Sequence, residues 1–128
     1  MSAKDYMRWH ILKTAINEQF DLPYFYTQEV WWATLGHNIG NEQDGKGAAF
    51  ARPVLILQKF NRSFFLCIPL SSTQKTGKYY HHFTYSGHSS TAILSQIRAL
   101  DARRLIRKHG WIDQTEFDLL RTKIKALI

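Results

Sequence analysis

The sequence predicts a β-rich α+β fold, a small curled antiparallel sheet or barrel with a helix near each end of the chain. Three observations predict it. Short β-branched and aromatic runs recur through the middle of the chain, divided by turn residues. Helical spacing of apolar residues is clearest at the two ends. The chain has 128 residues, 45% hydrophobic and 14% aromatic, enough for one core without disulfide or metal staples.

Trp9, Leu12, Ile16 and Phe20 form one apolar stripe, so residues 1–20 read as an amphipathic helix. Pro23 ends it, because it disfavours helical geometry at Leu22. Residues 29–35, rich in Val30, Trp31 and Trp32, read as a strand. Residues 36–47 carry too many glycines and amides for a strand and read as a long loop. Two β-rich runs, 52–60 and 63–70, are separated by Asn61 and Arg62, a hairpin signal weaker than Asn-Gly. A polar loop over 71–77 leads to a strand over 78–85. Gly87 and the serines after it read as a turn, and 91–100 as a further strand, giving five or six strands in all. Asp101 is placed to cap a short helix that Gly110 closes. Asp113 and Glu116 open a last helix in the manner of a capping box, with Phe117, Leu120, Ile124 and Leu127 on one face.

Charge then narrows the function. Residues 45–98 contain no aspartate or glutamate, yet hold seven lysines and arginines and three histidines. A segment stripped of carboxylates does not build a hard-metal site or a two-carboxylate active site. It suits a polyanion, whose phosphates are held by Arg and Lys and repelled by acids. The net charge of +7 and pI near 9.7 point the same way, towards nucleic acid. Cys67 is the lone cysteine, in an apolar run, and reads as a buried core thiol. One cysteine and scattered histidines lack zinc-ligand spacing, so neither a metal nor a cofactor is expected. No apolar stretch is long enough to span a bilayer and no hydrophobic signal region opens the chain, so the expectation is a cytoplasmic protein without a membrane partner.

Four fragments carry a resemblance. Glu29-Val30-Trp31-Trp32 is followed by Gly40-Asn41-Glu42-Gln43; then come Arg52-Pro53-Val54-Leu55-Ile56-Leu57, Ile68-Pro69-Leu70-Ser71-Ser72, and Gln96-Ile97-Arg98-Ala99-Leu100-Asp101 with Arg104-Leu105. In that order and spacing they resemble the MazF/PemK toxin family, over residues 29–128. The resemblance implies an SH3-like barrel of the MazF/CcdB type with a C-terminal helix, here with an added N-terminal helix. It also implies a homodimer, a cognate antitoxin whose disordered tail lies over an RNA groove, and metal-independent endonucleolytic cleavage of single-stranded RNA. Residues 29–128 are then the toxin domain and 1–28 a helical extension. Because gyrase poisons share the barrel, a non-catalytic interaction protein is the alternative, either a gyrase poison or a degenerate toxin that only binds RNA or an antitoxin.

Metal-free RNA cleavage needs a proton acceptor for the ribose 2′-OH, a donor for the leaving 5′-oxygen, and positive charge on the phosphorane oxygens. Arg52 fits the charge role, since a guanidinium grips two phosphate oxygens and stays ionised; the resemblance makes it phosphate clamp and possible acid. Ser71 matches the family's threonine and keeps a hydroxyl that donates without bringing negative charge. Ser72, one register away, ranks below it. His37, in the loop before Arg52, is the candidate imidazole for proton transfer. His81 and His82 are adjacent, so on a strand they face opposite sides. With Glu42, Lys46, Ser72, Lys75 and Lys78 they are the expected RNA-binding positions, where one parity at most of Tyr79, Tyr80, Phe83 and Tyr85 adds aromatic faces for bases, since half of an alternating strand faces the core. Arg103, Arg104, Arg107 and Lys108 read instead as a solvated helical face. One branch of the family has an arginine and an aspartate just before the glutamine matching Gln96; here Ile93 and Ser95 stand there, so that acid–base pair is absent.

Overall fold

The computed structural model describes residues 21–35 and 51–128; the expected N-terminal helix over 1–20 and the loop over 36–47 lie outside the described residues. Within them, seven antiparallel strands run β1 (Glu29–Thr34), β2 (Ala51–Asn61), β3 (Phe64–Ser71), β4 (Tyr80–Tyr85), β5 (His88–Ile93), β6 (Arg98–Asp101) and β7 (Leu105–Trp111). One helix, α1 (Gln114–Ala126), comes after them. The hydrogen-bonded order is β4-β5-β3-β2-β1-β7, with β6 added to β3.

The β2–β3 hairpin turns where expected. Asn61 Oδ1 accepts from the Ser63 amide at 2.8 Å, so the asparagine side chain supplies the turn's hydrogen bond in place of a glycine's backbone freedom. β2 and β3 bury both faces. Val54, Ile56, Phe65 and Cys67 pack with Phe25, Trp31, Ala33, Leu100 and Leu105 on one side. Leu55, Leu57, Ile68 and Leu70 pack with Phe83, Tyr85, Phe117 and Leu120 on the other. Central strands covered twice read as unbroken apolar runs, as these do in sequence. Burial pushes the Cys67 thiol up to about 12, so it is an inert core group.

Helix α1 has the expected start, with Asp113 Oδ1 accepting from the Glu116 amide at 2.7 Å. Phe117 and Leu120 are buried, and Ile124 and Leu127 pack beside them. The capping box is not completed, because the Glu116 carboxylate reaches His81 on β4 instead, at 2.7 Å. Lys123 Nζ donates to the Tyr80 carbonyl at 2.7 Å, a second tie between α1 and β4.

The stretch after Asp101 departs from expectation. Asp101 does cap a turn, accepting from the Arg103 amide, but that turn is a 3-10 segment of three residues, Ala102–Arg104. The chain then enters β7 and not a helix, because the free edge of β1 takes it as a partner, with Trp32 opposite Arg107 and Ala33 opposite Leu105. Edge pairing outweighs local helical preference here. Arg107 and Lys108 therefore stand on a strand, not on a helical face. The serines after Gly87 also move: Ser89 and Ser90 lie within β5, because Ser86 and Gly87, with φ of 47° and 79°, complete the turn by themselves. The expected strand over 91–100 is interrupted by a 3-10 turn at Leu94–Gln96.

β4 and β7 end the hydrogen-bonded order, yet they meet. A Cβ added at Gly110 of β7 would lie 2.7 Å from Ser86 Oγ and 3.0 Å from the Tyr85 ring. The sheet therefore curls until the β4–β5 turn rests against β7. It is barrel-like, and side-chain packing rather than a hydrogen-bonded ladder spans the seam.

Candidate nucleic-acid interface

Arg52 is the second residue of β2 and is exposed, directly opposite the buried Ala33 of β1. Pro53 is next, opposite Trp32, near the end of β1–β2 pairing, where its missing amide breaks the fewest ladder bonds. On the other side β2 pairs with β3 in a register that sets Val54 opposite Pro69. Extended by two residues, that register puts Arg52 opposite Ser71, the last residue of β3. The two sequence candidates thus converge at one end of the sheet. They line a shallow depression of about 320 Å³ with Trp32, Pro53, Leu70, Ser72 and Thr73.

Ser71 Oγ accepts from the Thr73 amide at 3.1 Å. This bond orders the loop after β3 and leaves the hydroxyl proton free to donate. Among the described residues, no carboxylate lines the depression. Glu29, Asp101 and Glu116 are bonded to Lys108, Arg103 and His81 respectively. The Arg103 hydrogen bond holds the Asp101 carboxyl below its usual range. Asp113 caps α1 and Asp118 accepts from Gln114. These described acids are thus committed away from Arg52.

The other expected positions scatter. Lys75 and Lys78 are exposed on the loop before β4, near the rings of Tyr80 and Tyr79 at 5.8 and 5.1 Å. His81 turns towards α1, where its side chain is 12% exposed beside Glu116, and it does not line the depression. His82 faces the opposite side, with Nδ1 3.3 Å from Thr91 Oγ1 and Nε2 3.1 Å from Ser89 Oγ. Pairings of Ser71 with Thr91 and of Thr91 with His82 put it on the same cross-strand row as Ser71, two strands away. His37, Glu42 and Lys46 lie outside the described residues. Ile93 is buried at the end of β5 and Ser95 is exposed in the 3-10 turn. Among the described residues, no three His, Cys, Asp or Glu side chains gather as a metal site, and no helix is long and apolar enough to cross a membrane.

Sequence reasoning missed a second group beside the depression. Trp32 lies 5.3 Å from the His109 ring, and His109 lies 4.6 Å from His88 and 5.6 Å from Tyr85, centroid to centroid. The Arg107 guanidinium sits 5.6 Å from the Trp32 ring. Burial, then the neighbouring His88 and Arg107, hold His109 below the usual imidazole range. Period-two reading of 105–111 would have put Arg107 and His109 on one face; reading a helix there hid it.

Comparison with known proteins agrees with this architecture. No curated protein is significantly similar in sequence. A solved endoribonuclease from a mycobacterial species, in complex with its cognate antitoxin, superposes with a TM-score of 0.61 at 16% identity, over 81% of this chain and 92% of that one. MazF from Deinococcus radiodurans gives a TM-score of 0.63 at 20% identity, over 83% of this chain and 96% of that one. The MazE–MazF complex from the same organism gives 0.63 at 21%, over 83% and 95%. These likenesses show the fold. The model of the PemK-like, MazF-like toxin of type II toxin–antitoxin systems matches residues 26–128, most of the chain. A seven-stranded barrel-like sheet, an Arg-Pro strand start facing a Ser-Ser strand end and this match agree, and the chain belongs to the PemK-like, MazF-like toxin family of type II toxin–antitoxin systems.

Proposed function

We propose that the protein is a metal-independent endoribonuclease toxin that cleaves single-stranded RNA by attack of a ribose 2′-OH on the adjacent phosphorus. The 2′-oxygen–phosphorus bond forms and the phosphorus–5′-oxygen bond breaks. The 2′-OH proton goes to a base, and a proton is delivered to the leaving 5′-oxygen. Products end in a 2′,3′-cyclic phosphate and a 5′-hydroxyl. One observation carries this reading: Arg52 and Ser71 line the same depression, and among the described residues no carboxylate lines it with them. In such a site Arg52 grips two non-bridging oxygens as charge builds on them, and Ser71 donates a hydrogen bond to one of them. Proton transfer falls to an imidazole or hydroxyl at the site, or to His37 or Glu42 from the preceding loop.

Partners enter through the same reading. The family and the solved MazE–MazF assemblies support a cognate antitoxin, and we propose a homodimer that presents the groove. Residues 29–128 form the toxin unit and 1–28 an extension. Ile93 and Ser95, in place of the acid–base pair of one family branch, favour a second reading in which the protein binds RNA or an antitoxin without cleaving. The test is to incubate purified protein with labelled single-stranded RNA in EDTA. The proposal expects fragments ending in 2′,3′-cyclic phosphate; bound but intact RNA would select the second reading, and inhibited gyrase with intact RNA a gyrase poison.

A further inference from the structure

Trp32 has a cross-strand neighbour on each side. Pro53 belongs to the depression that holds Arg52 and Ser71, while Arg107 belongs to the ring cluster on the seam. In the cluster His109 lies tilted against Trp32 and His88 tilted against His109, with centroid spacings of 5.3 and 4.6 Å. Tyr85 is buried beneath both histidines, at 5.6 Å from each ring. His88 and Arg107 are exposed, and Trp32 and His109 are half-buried, so the ring cluster shows an outer surface to solvent.

Closing the seam does not account for this composition. Tyr85 and Ser86 against Gly110 already bring β7 and the β4–β5 turn into contact. The Arg107 guanidinium beside the rings supplies local positive charge. The acids of neighbouring elements do not answer it, since Glu29 is bonded to Lys108 and Glu116 to His81. Exposed ring faces beside positive charge, with no free carboxylate among the described residues nearby, are what a nucleobase attached to phosphate requires.

We infer that Trp32, His88, Arg107 and His109 form a stacking platform for one RNA base next to the phosphate held at Arg52. This inference rests on the proposed RNA-directed function and adds a named subsite to it. β2 and β7 flank β1, so the two parts are about 10 Å apart at ordinary strand spacing, a span that one nucleotide bridges from its phosphate to its base. Stacking of this kind tolerates any base, so the platform adds affinity and register without dictating sequence.

The test measures binding apart from cleavage. A fluorescein-labelled single-stranded RNA, 2′-O-methylated throughout so that no 2′-OH can attack, is titrated by anisotropy, intact and with one abasic position moved along it. Wild-type protein is expected to lose on the order of tenfold in affinity when one particular base is removed. His88→Ala with His109→Ala is expected to bind the intact RNA as weakly and to be indifferent to that abasic position. His88→Phe with His109→Phe, which keeps the rings, is expected to restore both affinity and sensitivity. Arg107→Ala, at an exposed position, is an independent variant expected to weaken the intact RNA alone. Wild-type affinity in the alanine pair, an unchanged abasic profile, failed rescue by phenylalanine, or no binding by the wild type would overturn the platform. Wild-type protein that shows the abasic effect yet leaves unmodified RNA intact would sink the catalytic reading and leave the platform standing.

Discussion

Arg62 shows how much one side chain can organise. Its guanidinium donates to the carbonyls of Leu22 and Pro23 and lies 4.2 Å from the Tyr24 ring, so it clamps the segment before β1 onto the β2–β3 hairpin. Phe25, fully buried against Phe65, is held by that clamp. Arg62→Ala leaves two part-buried carbonyls without their charged donor, and is expected to lower stability by about 1–3 kcal/mol in urea unfolding. An unchanged midpoint would mean the segment docks without it. In sequence Arg62 is only half of an Asn-Arg turn, and nothing local tells that it reaches back some forty positions. Arg52 and Ser71 were legible because each sits in a short motif whose chemistry is local to a strand end. His109 and Arg107 were not, since their meaning depends on Trp32 and His88, which only the folded sheet brings near.

At the scale of elements, β1 to β4 were readable because β-branched and aromatic runs bounded by turn residues mark strands whatever their partners, whereas the first half of β5, His88 to Ser90, read as a turn. α1 was readable from Asp113 and its apolar stripe. β7 was not, because Asp101, Ala102, Arg103 and Arg104 carry helical preference and the deciding factor is the open edge of β1. Gly110, taken from sequence as a helix stop, instead lets β7 approach the β4–β5 turn. Gly110→Ala is therefore expected to cost about 1–3 kcal/mol by overpacking the seam, read as a lower melting temperature. Adding Ser86→Gly removes the nearest clashing atom, at a residue whose φ of 47° suits glycine, and is expected to recover part of that loss. Equal stability of wild type and the single variant would show that the seam is looser than its geometry implies.

For the whole molecule, the acid-free window over 45–98 supplies all of β2 to β5, and both Arg52 and Ser71 lie within it. Among the described residues, Asp113 is spent on a cap, Glu29 on Lys108 and Glu116 on the His81 tie to α1. Among the described residues, that division leaves the Arg52 end without a carboxylate and suited to phosphate while the opposite charges hold the scaffold. The most direct measurement is the single-turnover cleavage rate of single-stranded RNA in EDTA for wild type, Arg52→Ala, and Lys125→Ala on the exposed side of α1. Loss of a charged donor to the phosphorane should slow Arg52→Ala by about 10²–10³-fold, with Lys125→Ala at the wild-type rate and all three equally folded. Cleavage by Arg52→Ala as fast as wild type would contradict the account.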